Sequence, residues 1–191
     1  MKGKMVIVSA PSGAGKTTIV KHIISQIPTL GFSVSATSRK PRSGEVDGVD
    51  YYFLTSEDFR KRIDSGEFFE WEEVYPDHYY GTPKSEIDHI WNQGKHIIFD
   101  VDVMGGRNLK RLSGDSSLSL FIMPPSIKEL ENRLRLRAKD SEEKIKIRVE
   151  KAVEEISYAS DFDTIIINDD IESAKCEAVA IILNFLNDKT L

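Results

Sequence analysis

Residues 10–17 read APSGAGKT, which fits the pattern GxxxxGK[ST] at every fixed position except the first, where Ala10 stands for glycine. Each residue type in that pattern has work to do on phosphate. Gly13 and Gly15 let the backbone curl so that its N–H groups converge on phosphate oxygens, and a helix opening near Lys16 adds the positive end of its dipole. Lys16 reaches the β- and γ-phosphates of a nucleoside triphosphate, and the Thr17 hydroxyl binds the accompanying Mg²⁺. Ala10, Pro11, Ser12, Ala14 and Thr18 complete the stretch that would line such a donor. If the first position needs positive φ, Ala10 costs about 1 kcal/mol; if it is an ordinary strand end, it costs little. A chance strand–turn–helix holding Gly and Lys is the plainer reading. The fit of residues 12–17 and their flanks weighs against it.

Other residues with chemistry to offer lie further along. Arg39, Lys40 and Arg42 put three cations into four positions, followed by Tyr51, Glu70, Tyr80 and Thr82. Taken alone, so short a basic run is a solvated loop, and Glu70 a carboxylate on an edge strand. Asp100 and Asp102 stand at the end of an apolar stretch. Arg133, Arg137 and Arg148 lie in a charged helical pair, where a solvated face with i,i+4 partners is the ordinary explanation. His22, His78, His89 and His96 have no metal-ligand spacing, and no Ser–His–Asp order stands out. Cys176 falls in a helix and reads as a core residue.

The elements that must position these groups follow from periodicity. Strands are expected at residues 5–8, 32–36, 67–74, 96–101, 118–123 and 164–167, with strand and loop over 44–54. Helices are expected at 16–27, from a Ser56 cap to about 65, at 83–93 with Pro83 in the first turn, from Ser126 to about 137, and at 171–186. Asp140 and Glu143 resemble a capping box for a further helix to about 158. Apolar strands near 5, 97, 119 and 165 alternating with helices predict an α/β fold, with a parallel sheet covered on both faces. Residues 33–82 break that rhythm and read as an inserted strand-rich subdomain. Residues 125–148 read as a mobile lid.

Composition narrows the classes. The 191 residues are 40% hydrophobic and 30% charged, which suits one globular domain with small insertions. The net charge of −5 argues against a general nucleic-acid binder. No run approaches the ~18–20 apolar residues of a membrane span. The single cysteine excludes an internal disulfide and fits a reducing cytoplasm.

The strings APSGAGKT, S-x-T-S-R-K-P-R, GEVDGVDYYF, GEFFEW, YYGTPK, FDVD, PPS and IINDD touch nearly the whole chain. On them the chain resembles the guanylate kinase family. The resemblance implies a P-loop core (residues 1–32, 83–124 and 149–191), a GMP-binding subdomain (33–82) and a helical lid (125–148). It also implies transfer of phosphate from ATP to GMP or dGMP with Mg²⁺, in a cytoplasmic monomer or homodimer. Residue by residue, Arg39, Arg42, Tyr51 and Tyr80 would bind the GMP phosphate. Ser35, Glu70 and Thr82 would meet the guanine, with Asp102 near the acceptor. Asp100 would join Thr17 at the Mg²⁺, and Arg133, Arg137 and Arg148 would close with Lys16 on the transferring group. Asn168 and Asp169 would lie by the ATP base. Met104 replaces a Gln common in the family, and residues 75–78 diverge slightly. A kinase for AMP, UMP or dGMP, and a phosphopeptide-binding scaffold domain without catalysis, are the alternatives; the intact Gly15-Lys16-Thr17 speaks against the second.

Overall fold

A computed structural model describes residues 3–136 and 141–188. In chain order the strands are Met5–Ser9 (β1), Leu30–Phe32 (β2), Ala36–Thr37 (β3), Tyr52–Phe53 (β4), Phe68–Tyr75 (β5), His78–Pro83 (β6), His96–Val101 (β7), Ser117–Met123 (β8) and Thr164–Ile167 (β9). The helices are Lys16–Gln26 (α1), Ser56–Asp64 (α2), Lys84–Asn92 (α3), Val103–Ser113 (α4), Ile127–Leu136 (α5), Glu142–Ser157 (α6) and Ile171–Asn187 (α7). One sheet has the order β2-β7-β1-β8-β9, a second β4-β3-β6-β5. In the first, every pair whose register is defined is parallel. This is the α/β fold that the alternation of strands and helices predicts.

The chain forms two compact units: Met1–Lys4 with Thr29–Phe99, and Met5–Pro28 with Asp100–Leu191. In the latter, β1 is buried along its whole length, the mark of a central parallel strand covered on both faces. α4 packs on β1 and β8, α7 on β9 and α1, and α5 on α6. Val103, Phe121, Ala159 and Phe162 form one buried cluster. In the former unit, β6 lies between β3 and β5, and α2 covers β5 and β6. There Phe59 stacks on Phe68 at 4.3 Å and on Tyr79 at 5.4 Å.

Several boundaries differ from those read off the sequence, each for a local reason. The strand expected at 32–36 is the junction of two strands: β2 ends at Phe32, β3 begins at Ala36, and they belong to different sheets. Apolar alternation does not reveal a change of partner. Residues 44–54 hold only the two-residue β4. α2 is capped by Thr55 rather than Ser56, its hydroxyl accepting from Asp58 N at 3.0 Å. Pro83 ends β6 with ψ of 134° and precedes α3 instead of opening it. Asp140 and Arg137 lie outside the described residues, and α6 is capped by Ser141, which accepts from Lys144 N. α4 escaped the periodicity because Gly105 and Gly106 stand where its apolar face should be. Cys176 is exposed, not core. The buried stripe of α7 is Ala174, Ala178 and Ile182, and a residue two positions along a helix points elsewhere.

The glycine in α4 is required by close approach. A Cβ on Gly106 would lie 2.2 Å from Ser9 Oγ and 3.1 Å from the Phe162 ring. Gly106→Ala should therefore overpack the α4–β1 contact and lower stability by about 1–3 kcal/mol. A urea denaturation series, read as a lower midpoint at unchanged slope, checks this.

Candidate active site

The loop after β1 takes the curl its sequence requires. Positive φ falls on Gly13 and Gly15, at 97° each, and on no other loop residue. Ala10 is buried at the strand end with ordinary φ, so the missing glycine costs little. Gly15 is the N-cap of α1, and its carbonyl accepts from Thr18 N and Ile19 N. Thr17 and Thr18 stand exposed on the first turn. Asn168, 2% exposed at the end of β9, donates from Nδ2 to Ala14 O at 2.7 Å. Pro11 O accepts from Ala14 N, and Ser12 is exposed.

Charge gathers beside this loop. Lys16 Nζ pairs with Asp100 Oδ1 at 2.6 Å and also donates to Val101 O. Asp102 caps α4, its Oδ1 accepting from Gly105 N at 2.8 Å. Glu155 on α6 faces the same group and was not singled out in the sequence, where it is one acid in a charged helix. Burial pushes its carboxyl up to about 7; Asp102 adds to the rise, while Lys151, Lys16 and the Ser12 N–H oppose it.

A pocket of about 500 Å³ in the same unit brings together Gly13, Gly15, Arg133, Asn168, Asp169 and Ile171. Arg133 enters it while held by Glu129 at 3.0 Å. Asn168 Oδ1 is buried and has no hydrogen-bond partner among the described residues. Arg148 is half-buried on α6. Arg135 on α5 is tied to Glu131 and Glu142.

The other unit holds a second constellation. Glu70 on β5 and Thr82 on β6 are cross-strand partners, 7% and 0% exposed, and the Thr82 hydroxyl donates to Glu70 Oε1 at 2.8 Å. Ser35 is half-buried just before β3, and its carbonyl accepts from Tyr52 N at 2.9 Å. Arg39 lies 4.9 Å over the Tyr51 ring and donates from Nε to Tyr80 Oη at 3.1 Å. Its remaining fork is taken by Glu45, at 2.6 and 2.7 Å, which also accepts from Arg42 N at 2.7 Å. Glu45 was missed as a functional residue, although its place three positions after Arg42 offered a hint. The Arg42 side chain is exposed. Together these residues make a guanidinium, two phenols and a buried, oriented carboxylate: groups suited to an anion and to a planar donor edge.

The Glu155 carboxyl makes a pH dependence. Its pKa in the folded protein, about 7, lies above the ordinary 4.5, so the folded state holds the extra proton between those values. Stability from this group is full below about pH 4.5 and is lost as pH rises through 7. Glu155→Gln should remove that slope and stabilise the protein at pH 8 by on the order of 2 kcal/mol. Denaturation midpoints of both proteins at pH 5 and 8 measure it.

The family model described as "Guanylate kinase" matches residues 2–185. A guanylate kinase of Bacteroides thetaiotaomicron is 50% identical over 187 residues, covering 98% of this chain and 92% of its own length. One from Porphyromonas gingivalis is 52% identical over 169 residues, covering 88% and 90%. Among solved structures, the guanylate kinase from Anaplasma phagocytophilum superposes with a TM-score of 0.80 at 29% identity, covering 98% of this chain and 88% of that one. With the loop at Gly13–Gly15, the Glu70–Thr82 pair and these relatives in agreement, the chain belongs to the guanylate kinase family.

Proposed function

We propose that this chain transfers the terminal phosphate of ATP to GMP or dGMP, giving ADP and GDP or dGDP. The observation that carries the acceptor is the buried Glu70 carboxylate, fixed by the Thr82 hydroxyl. Guanine offers its N1–H and 2-amino group as adjacent donors, which one carboxylate accepts together. Adenine has an acceptor at N1 and no 2-amino group, and would leave a buried charge unmatched. Sites built this way discriminate by up to ~10⁴. The names of the relatives agree with this acceptor.

The remaining roles follow from placement and charge. Residues 10–18 wrap the donor phosphates, and Asn168 and Asp169 take its base. Arg39, Arg42, Tyr51 and Tyr80 hold the acceptor phosphate, with Ser35 and Asp102 on its nucleoside. Lys16, Arg133, Arg137 and Arg148 neutralise the charge that spreads over the γ-phosphoryl group as its bond to the β-phosphate oxygen breaks and the bond to the acceptor oxygen forms. No general base is required, because the acceptor phosphate is already an anion. Residues 33–82 act as the acceptor subdomain and residues 125–148 as the lid, whose closure limits wasteful hydrolysis.

Thr17 and Asp100 fit Mg²⁺. A hydroxyl and a carboxylate are the hard oxygen donors it prefers, and it is commonly held by one or two protein groups with substrate phosphates and water. Among the described residues, no three His, Cys, Asp or Glu side chains gather to hold a metal alone. Held by Thr17 and Asp100, the ion would supply positive charge that offsets the negative charge of the phosphates. Among the described residues no helix is long and apolar enough to cross a membrane. We place the enzyme in the cytoplasm, whose reducing conditions suit a chain with one cysteine.

A coupled assay across GMP, dGMP, AMP and UMP tests the reading. GMP should exceed AMP in kcat/KM by about 10³-fold or more, and equal turnover of AMP would refute the role given to Glu70. Lys16→Ala should lower kcat at least ~10²-fold while the protein remains folded; a rate near that of the unaltered protein would remove the loop from catalysis.

A further inference from the structure

The guanidinium of Arg39 is already committed along one edge. Its Nη1 donates to Glu45 Oε2 at 2.6 Å and to Lys40 O at 3.1 Å, and its Nη2 to Glu45 Oε1 at 2.7 Å. Nε donates to Tyr80 Oη at 3.1 Å. Of the five N–H groups of an arginine, these bonds leave a single Nη2 N–H, on the edge it shares with Nε. Tyr80 Oη accepts on that same edge, so its own hydrogen points away from Arg39. The edge thus offers two donors side by side, Nη2–H and the phenol O–H, which suits two oxygens of one phosphate. The ring of Tyr51 lies under the guanidinium at 4.9 Å, and that of Phe53 at 5.6 Å.

From this geometry, and resting on the acceptor reading above, we infer that Glu45 is a positioning residue for the acceptor phosphate: it holds the end of Arg39 and turns the Nε–Nη2 edge toward the phosphate. Glu45 stays in place while the acceptor binds. Its Oε2 also accepts from Arg42 N at 2.7 Å, so one carboxylate fixes the rotation of Arg39 and the turn that carries Arg42. The two side chains are 10% and 19% exposed, and displacement by phosphate would break two charge-assisted hydrogen bonds together with the bond to Arg42 N. The pairing also holds the Glu45 carboxyl down to about 2, so the pair stays charged across the working pH range. Arg39 and Arg42 set two positive charges against the one negative charge of Glu45, so the carboxylate does not cancel what a phosphate dianion would meet.

Glu45→Gln keeps the shape but sets an amide N–H₂ against a guanidinium N–H. The expected result is a KM for GMP at least ~10-fold higher, with the KM for ATP and the inhibition constant of guanosine, which lacks the phosphate, each within twofold. Glu45→Ala should show the same pattern and recover part of its GMP affinity with added formate, which the unaltered protein should not. A lower KM for GMP would overturn the proposal, since it would make Glu45 a competitor that the phosphate displaces. GMP and guanosine weakening in parallel would also overturn it, by showing a loss of local fold, and so would an unchanged KM. If the unaltered protein fails to phosphorylate GMP, the acceptor reading falls and this inference with it; if it succeeds and Glu45→Gln keeps its GMP affinity, only the inference falls.

Discussion

A buried hydrogen bond ties the phosphate loop to its sheet. Asn168 leaves the end of β9 and donates to Ala14 O at 2.7 Å. The loop can accept this clamp only because Gly15 has no side chain: a Cβ there would come within 2.4 Å of the Asn168 amide nitrogen. The same glycine takes a positive φ that L side chains avoid, and its carbonyl starts the ladder of α1. Loop curl, helix start and the placing of Lys16 are thus settled together by the close approach of an amide to a glycine. Gly13 repeats the device on a smaller scale under Leu130 and Leu134, so the loop is also shaped by α5.

The second theme is that three of the cations proposed for phosphate do not stand loose. Lys16 is held by Asp100, Arg39 by Glu45 and Arg133 by Glu129. A long cationic side chain has considerable rotamer entropy, and one that must be ordered on binding weakens that binding. A carboxylate partner orders it beforehand, in exchange for part of its charge. The exchange differs among the pairs. The Arg133–Glu129 pair is an i,i+4 contact of the kind worth a few tenths of a kcal/mol. The Arg39–Glu45 pair is two-pronged and shielded, which makes it a far stiffer support.

The sequence carried much of this, and its silences have physical causes. β7 and β9 were legible to the residue because they are apolar runs bounded by polar or turn residues. α4 was not, because its contact with β1 is made by glycines, and close approach leaves no apolar stripe to read. β2 is three residues long with a central glycine, too short for any period. The loop at residues 10–17 was visible because its chemistry demands fixed residue types at fixed spacing. Glu45 and Glu155 were not, because a carboxylate whose role depends on what the chain folds against it looks in sequence like any other surface acid. Cys176 went wrong for a related reason: a thiol is often buried, but only the Ala174–Ala178–Ile182 stripe decides which side of α7 it takes.

The register of β1 bears on how the chain is made. Met5 pairs with Ser117 and Ser9 with Phe121, so the strand that launches the phosphate loop has its β8 partner far downstream. During synthesis β1 leaves the ribosome with the loop attached, and the whole of Thr29–Phe99 must follow before β8 appears. Closing so long an excursion is entropically slow, and parallel strands give no hairpin to nucleate from. Asn168 is made later still, so the clamp on Ala14 is among the last contacts a growing chain can form. A nascent chain therefore cannot complete the curl of this loop until Asn168 has been translated, 154 residues after Ala14.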